Sequence, residues 1–192
     1  MSNNTKKKLI SIVAGGTGGH IFPAISLLKF LENKYNVVVI TDNRGAKYFN
    51  TLNTNRNPLI KFKLVTINTQ SPYKNGFINK LMFILLSIIT ATKIIIMFIH
   101  QRPNLVIGFG GYCSFIPCLL SKIMKIKFFI HEQNAMMGRA NKFLEIFATS
   151  SFLGFKNTKP NKNIKKRVFC GTPLREEFYK INLKKNKSSY EK

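Results

Sequence analysis

Short runs of uninterrupted apolar residues alternate along the chain with longer stretches in which apolar positions recur every three or four residues. Residues 9–14 form the first run and predict a buried strand, closing on Gly15-Gly16-Thr17-Gly18-Gly19-His20. Residues 21–31 then carry helical spacing, with Pro23 in the first turn, where a missing N–H leaves no bond unmade. Residues 37–41 predict a second strand ending at Asp42, residues 59–67 a third with partial alternation, and residues 105–107 a short fourth ending at Gly108. Residues 113–124 read as a helix, 127–130 as a fifth strand and 138–147 as another helix. Strands that are apolar throughout, alternating with helices, specify an α/β fold, a doubly wound Rossmann-like parallel sheet covered on both faces. Past Phe155 the chain turns rich in Lys and Asn, recovers apolar character over 167–178 and ends in a polar tail, 184–192.

The 192 residues suffice for one ordinary domain and the start of another. Hydrophobic residues make up 45%, enough to bury a sizeable core, which excludes a disordered scaffold. Thirty-one Lys and Arg against seven acids leave +24, a field that draws nucleic acid, anionic lipid or a phosphorylated substrate. The dominance of Lys, with abundant Asn, Ile and Phe, also follows from an AT-rich coding sequence, so the charge does not single out nucleic acid, which is not the expected partner. Cys113, Cys118 and Cys170 are odd in number and lack metal-ligand spacing, which fits reduced thiols on the cytosolic side. Residues 1–8 are polar and basic and precede only a short apolar run, so no signal peptide is expected.

In an open parallel sheet ligands bind beyond the carboxyl ends of the strands, which makes the residues just after each strand the informative ones. The loop Gly15–Gly19 lets backbone N–H groups and a helix N-terminus approach a diphosphate or a sugar hydroxyl, or it is simply a tight strand-to-helix connection. Ile21 stands where a dinucleotide fingerprint needs its last glycine, and no Gly-Lys-Ser/Thr follows, so nicotinamide and P-loop nucleotide readings fall away. A second glycine loop, Gly108-Phe109-Gly110-Gly111-Tyr112, opens the next helix, and two such helix starts suit one diphosphate; close backbone packing is the alternative. The fifth strand runs out through His131-Glu132-Gln133-Asn134, polar groups able to bind a sugar or a peptide, or only to cap a strand.

With three His and seven acids, few groups can carry a proton in the strand-end crevice: His20 first, then His131 or Glu132. His100 reads as a helix end. There is no Asp-x-Asp pair or carboxylate cluster, so no metal is expected and phosphate charge must be met by dipoles, Lys and Arg. No Gly-x-Ser-x-Gly elbow supports a hydrolase. Residues 77–99 approach the length that spans a bilayer, but Lys80, Lys93, Asn79, Ser87, Thr90 and Thr92 interrupt them. Two readings stay open: a helix buried against the sheet, or an exposed apolar face rimmed by Lys74, Lys80 and Lys93 that dips into an anionic bilayer.

Taken in order, residues 15–24, 108–112, His131-Glu132-Gln133-Asn134-Ala135 and Gly171-Thr172-Pro173-Leu174-Arg175 resemble the N-terminal half of the MurG family, the undecaprenyl-diphospho-muramoylpentapeptide N-acetylglucosaminyltransferases of bacterial peptidoglycan synthesis. The resemblance implies the N-terminal, acceptor domain of a two-domain GT-B enzyme. It implies inverting transfer of GlcNAc from UDP-GlcNAc to lipid I, giving lipid II, by a peripheral protein on the cytoplasmic face of the inner membrane. UDP-GlcNAc is then a substrate and no cofactor is implied. Carried over residue by residue, Thr17, Gly18, Gly19, Asn134 and Arg175 face the UDP-sugar, and His20 is the base that deprotonates the C4 hydroxyl of the muramoyl sugar. Glu132 orients or replaces His20. Gly16, Gly110, Gly111 and Tyr112 hold the lipid diphosphate, and residues 77–99 give membrane contact. Thr172 and Leu174 depart from the family's usual Asn and Val.

The resemblance also assigns residues 1–165 to the acceptor and membrane domain and residues 166–192 to the interdomain linker and the start of a donor domain. A donor domain in cis or in trans is therefore an implied partner, and the 192 residues alone are expected to transfer little or no sugar. A non-catalytic, membrane-bound acceptor-binding subunit of a split glycosyltransferase is the alternative.

Overall fold

The computed structural model describes residues 7–54, 61–69, 76–160, 166–174 and 178. Its elements are β1 (Leu9–Val13), α1 (Gly18–Leu31), β2 (Asn36–Thr41), α2 (Asn43–Thr54), β3 (Phe62–Thr66), α3 (Phe77–His100), β4 (Leu105–Gly108), α4 (Gly111–Ile123), β5 (Phe128–Glu132), α5 (Arg139–Leu144), β6 (Ser150–Leu153) and β7 (Arg167–Phe169). The strands form one seven-stranded sheet in the order β3-β2-β1-β4-β5-β6-β7. Every pairing is parallel, from Val37 beside Phe62 to Leu153 beside Phe169.

Two apolar cores cover the two faces of the sheet. On one, Ile94 and Phe98 of α3, Cys113 and Cys118 of α4 and Leu144 of α5 pack on Val38, Ile40, Val106, Phe128 and Ile130. On the other, Ile21, Ala24, Ile25 and Leu28 of α1 and Phe49 of α2 pack on Ile10, Ile12, Val37 and Val39. The alternation of a strand's side chains thus feeds both cores, which is why these strands are apolar at nearly every position. The order reverses between β1 and β4, whose carboxyl ends lie side by side, and in a doubly wound sheet that reversal opens the ligand crevice.

Several elements differ from the sequence expectation. α1 starts at Gly18, three residues early, so His20 falls in its first turn and Pro23 in its second, where it cannot donate to the Gly19 carbonyl. α2 was not expected, because it is mostly polar; Phe49 anchors it, and Asp42 caps it by accepting from Gly45 N at 2.8 Å. β5 extends to Glu132, so His131 and Glu132 are buried strand residues rather than an exposed exit. The sheet also continues past residue 165. β7 pairs with β6, and Arg167 forms a two-pronged ion pair with Glu145, both contacts 2.7 Å long, while its third nitrogen donates to Pro160 O.

Residues 77–99 form a helix that shows its apolar side outward. Thr90, Ile94 and Phe98 of α3 are buried, while Phe77, Ile78, Leu81, Leu85, Ile88 and Ile89 are exposed, Phe77 to 82%. By length and composition α3 could cross a membrane, yet one stripe of it packs into the core of this domain. Lys93 Nζ donates to Thr66 O at 2.6 Å, and Lys74 lies outside the described residues.

Candidate active site

The two glycine loops leave β1 and β4, neighbours in the sheet, so they meet at the same point of the crevice. Val13 O, at the end of β1, accepts from Phe109 N at 2.9 Å, and the Ser114 hydroxyl bridges Val13 O and Gly110 O at 3.1 and 2.8 Å. The first loop is held from the other side by Asp42. One of its oxygens accepts from Gly16 N at 3.0 Å and from the Arg44 guanidinium at 3.1 Å, and the other caps α2.

His20 stands between the loops. Its Nδ1 lies 3.1 Å from Thr17 Oγ1, and its ring lies across Gly110 and Gly111. A Cβ at Gly110 would sit 3.2 Å from His20 Nε2 and 3.1 Å from Asn141 Nδ2, and the φ angles of Gly110 and Gly111 are +89° and +73°. Both positions therefore need glycine for backbone conformation, and Gly110 also for the space the imidazole occupies. Burial holds the His20 imidazole below its ordinary pKa of 6.5, with the charge of Glu132 pulling weakly the other way. A half-buried, neutral imidazole at the mouth of the crevice can accept a proton.

Glu132, expected to orient or replace His20, is held by its own near neighbours. It is buried, and four donors saturate its carboxylate: Asn134 N and Nδ2 on one oxygen, Gly138 N and Asn141 Nδ2 on the other, all at 2.9–3.0 Å. A carboxylate so enclosed shapes the segment from 132 to 141, and its charge acts on His20. Asn141 also donates to His131 O, and Gln133 Nε2 donates to Phe109 O at 2.8 Å, tying this segment to the second glycine loop. His131 turns away from the crevice. Its Nε2 donates to Gly171 O at 3.0 Å and its ring packs against Phe109 with centroids 5.3 Å apart, so it fastens the chain beyond β7 to β5. Burial again lowers its pKa, and the bond to Gly171 opposes that shift.

The other expected residues divide clearly. Thr17 is the N-cap of α1 and Gly18 and Gly19 its first two residues, where helical N–H groups lack intrahelical acceptors. Gly111 and Tyr112 open α4 in the same way. Asn134 is exposed beside Glu132. Arg175 lies outside the described residues. The structure therefore brings Gly16, Thr17, Gly18, Gly19, His20, Gly110 and Gly111 together at the ends of β1 and β4. Asp42, Ser114 and Asn141 are organising residues that the sequence reading did not assign to the site, and Gln133, read there as a sugar- or peptide-binding group, ties the segment to the second loop instead. Of the first three only Asp42, a polar residue closing an apolar run, left a local signal.

Beside the second loop lies an apolar cleft of about 530 Å³ between α3, α4 and α5. Phe83 and Leu86 line it from α3, Phe115 and Ile116 from α4 and Ala140 and Phe143 from α5, with Tyr112 and Arg139 among its polar residues.

The profile of the glycosyltransferase family 28 N-terminal domain matches residues 10–153. A curated relative from Prochlorococcus marinus (strain MIT 9215), named UDP-N-acetylglucosamine--N-acetylmuramyl-(pentapeptide) pyrophosphoryl-undecaprenol N-acetylglucosamine transferase, is 37% identical over 93% of this chain and 47% of its own length. A relative of the same name from Bartonella quintana (strain Toulouse) is 35% identical over 88% of this chain and 43% of its own. The crystal structure of MurG from Acinetobacter baumannii superposes with a TM-score of 0.69 at 27% identity, over 88% of this chain and 47% of that one. The chain thus spans about half the length of the curated relatives it matches. The profile match covers all but the last strand of the sheet and includes both glycine loops, and this chain belongs to glycosyltransferase family 28 through its N-terminal domain.

Proposed function

We propose that this chain is the acceptor half of an inverting glycosyltransferase that moves GlcNAc from UDP-GlcNAc to the C4 hydroxyl of the muramoyl sugar of lipid I, giving lipid II for peptidoglycan. The observation that carries the reading is the seat of His20 between two glycine loops at the reversal point of the sheet. In the tautomer this reading requires, Nδ1–H of His20 donates to Thr17 Oγ1, 3.1 Å away, and the Nε2 lone pair is the base. The C4 oxygen attacks the anomeric carbon of GlcNAc while the bond from that carbon to the diphosphate oxygen breaks. The hydroxyl proton passes to Nε2, and UDP leaves with the electron pair. The buried charge of Glu132 favours the imidazolium so formed.

Thr17, Gly18, Gly19, Asn134 and Arg175 serve the donor side. Gly16, Gly110, Gly111 and Tyr112 receive the acceptor diphosphate, its charge met by the N-termini of α1 and α4. The donor domain acts in cis or in trans, and α3 seats the protein on the cytoplasmic face of the inner membrane. The test supplies the purified chain with a separately expressed donor half from a relative and measures transfer to a lipid I analogue. Product forms only with both halves, and His20→Ala lowers the rate by roughly 10²- to 10⁴-fold. Robust transfer by the chain alone, or an unchanged rate in His20→Ala, overturns the reading.

A further inference from the structure

The apolar cleft beside Tyr112 has no part in the transfer chemistry above, yet it opens next to the loop assigned to the acceptor diphosphate. All of its polar residues but Ser87 of α3 gather at one edge. Asn68, Tyr112 and Arg139 come from the carboxyl-terminal edge of the sheet, just after β3, in the first turn of α4 and at the start of α5. Phe83, Leu86, Phe115, Ile116, Ala140 and Phe143 are its apolar residues, with the rings of Phe115 and Phe143 in contact at 5.3 Å. The volume of about 530 Å³ lies within the range of small-molecule sites. An occupant matched to this shape is apolar along its length and anionic at one end. The cationic Arg139 and the N-terminus of the 13-residue helix α4 stand at that end, and the exposed face of α3 adjoins the other walls.

We propose that this cleft binds the first isoprene units of a polyprenyl diphosphate, with the diphosphate at Gly110, Gly111 and Tyr112 and the hydrocarbon running between α3, α4 and α5 toward the outer face of α3. The proposal rests on the reading of this chain as the acceptor half and names the part of the acceptor that this half grips beyond its charged head. The relatives' own name includes a pyrophosphoryl-undecaprenol, an amphiphile of this form. Gripping the first units would lift the head group clear of the bilayer surface and fix its distance from His20.

The test titrates the full 192-residue chain with inorganic diphosphate and with C10, C15 and C20 prenyl diphosphates, below their aggregation limits, alongside C15 prenol. Because each buried methylene strengthens binding by roughly fourfold, affinity rises by about tenfold or more per isoprene unit until the cleft is full. Ala140→Phe and Ser87→Phe, which fill the cleft from two different helices, flatten that rise, while Ile88→Ser on the outer face of α3 leaves it intact. Each variant's thermal melt is recorded to confirm that it folds. A flat chain-length dependence in the unaltered chain overturns the proposal. So does a dependence that survives in the folded filled variants or that disappears in Ile88→Ser, since the tail would then be adsorbed on the outer face of α3. The gain from prenol to prenyl diphosphate measures the glycine loops separately. If that gain is absent while the chain-length rise remains, the cleft holds a prenyl chain and the diphosphate assignment falls alone.

Discussion

Gly110 lies against the His20 ring so closely that a methyl group on its α-carbon would reach within 3.2 Å of Nε2. Backbone conformation and the seat of the imidazole therefore depend on the same residue. Gly110→Ala must adopt a φ near +89° and displace either the imidazole or the Asn141 amide. It is expected to cost about 1–3 kcal/mol in denaturant unfolding. With a donor half supplied it is expected to lower transfer by about 10²-fold through misplacement of the base. A variant with normal activity would show that His20 need not keep this position.

The depressed pKa values of His20 and His131 give a second prediction. Both imidazoles are held below 6.5 by burial, so between the folded and ordinary values the unfolded chain binds more protons than the folded one. Unfolding free energy therefore rises with pH through that window, and the stability is fully present above about pH 6.5 and lost as the pH falls through the folded values. Denaturation midpoints measured from pH 7.5 down to 5 should fall, and His131→Gln should flatten the decline. The acidic limb of kcat/KM, measured with a donor half supplied, should likewise lie below 6.5.

The Arg167–Glu145 pair fastens β7 to the end of α5, with Glu145 buried and Arg167 partly buried, at 5% and 9% side-chain exposure. Removing one partner strands the other charge. Arg167→Ala or Glu145→Ala should each destabilise the fold by about 3–5 kcal/mol, and the double variant by less than the sum. A double-mutant cycle in urea measures this; additive effects would mean that the pair does not couple the two segments.

Leu85 and Ile88 are exposed on the outer face of α3, with no polar partner of their own. If this face docks on a bilayer, Leu85→Ser and Ile88→Ser should each weaken binding to phosphatidylglycerol vesicles by about tenfold without changing the melting temperature. Higher salt should weaken binding further by screening the basic surroundings. Equal vesicle affinity in the variants would assign the face another role.

What could be read from the sequence follows the physics of burial. β1 and β2 carry apolar side chains toward both cores, and such a run is visible residue by residue. The glycine loops were visible because glycine is the residue that positive φ and close approach require. α2 stayed hidden because it depends on a cap at Asp42 and one anchor, Phe49, inside a polar stretch. β6 and β7 are three or four residues long at the sheet's edge, and Val168 and Phe169 are exposed. The partners that hold Glu132 were hidden for another reason. Two of its four donors come from Asn134, two residues on, but the others belong to Gly138 and Asn141, and nothing local marks those as its partners. Long-range satisfaction of a buried charge leaves no periodicity to detect.

The Ser114 hydroxyl reaches Val13 O across 101 residues of chain, and the loops it joins hold their shape only when β4 has docked on β1. During folding, contacts of such separation form late, after the entropy of closing the intervening chain has been met. A nascent polypeptide would carry β1, α1 and the first glycine loop long before it had the crevice between the two loops. The crevice therefore forms with one docking event, and a partly folded chain would hold no half-formed version of it.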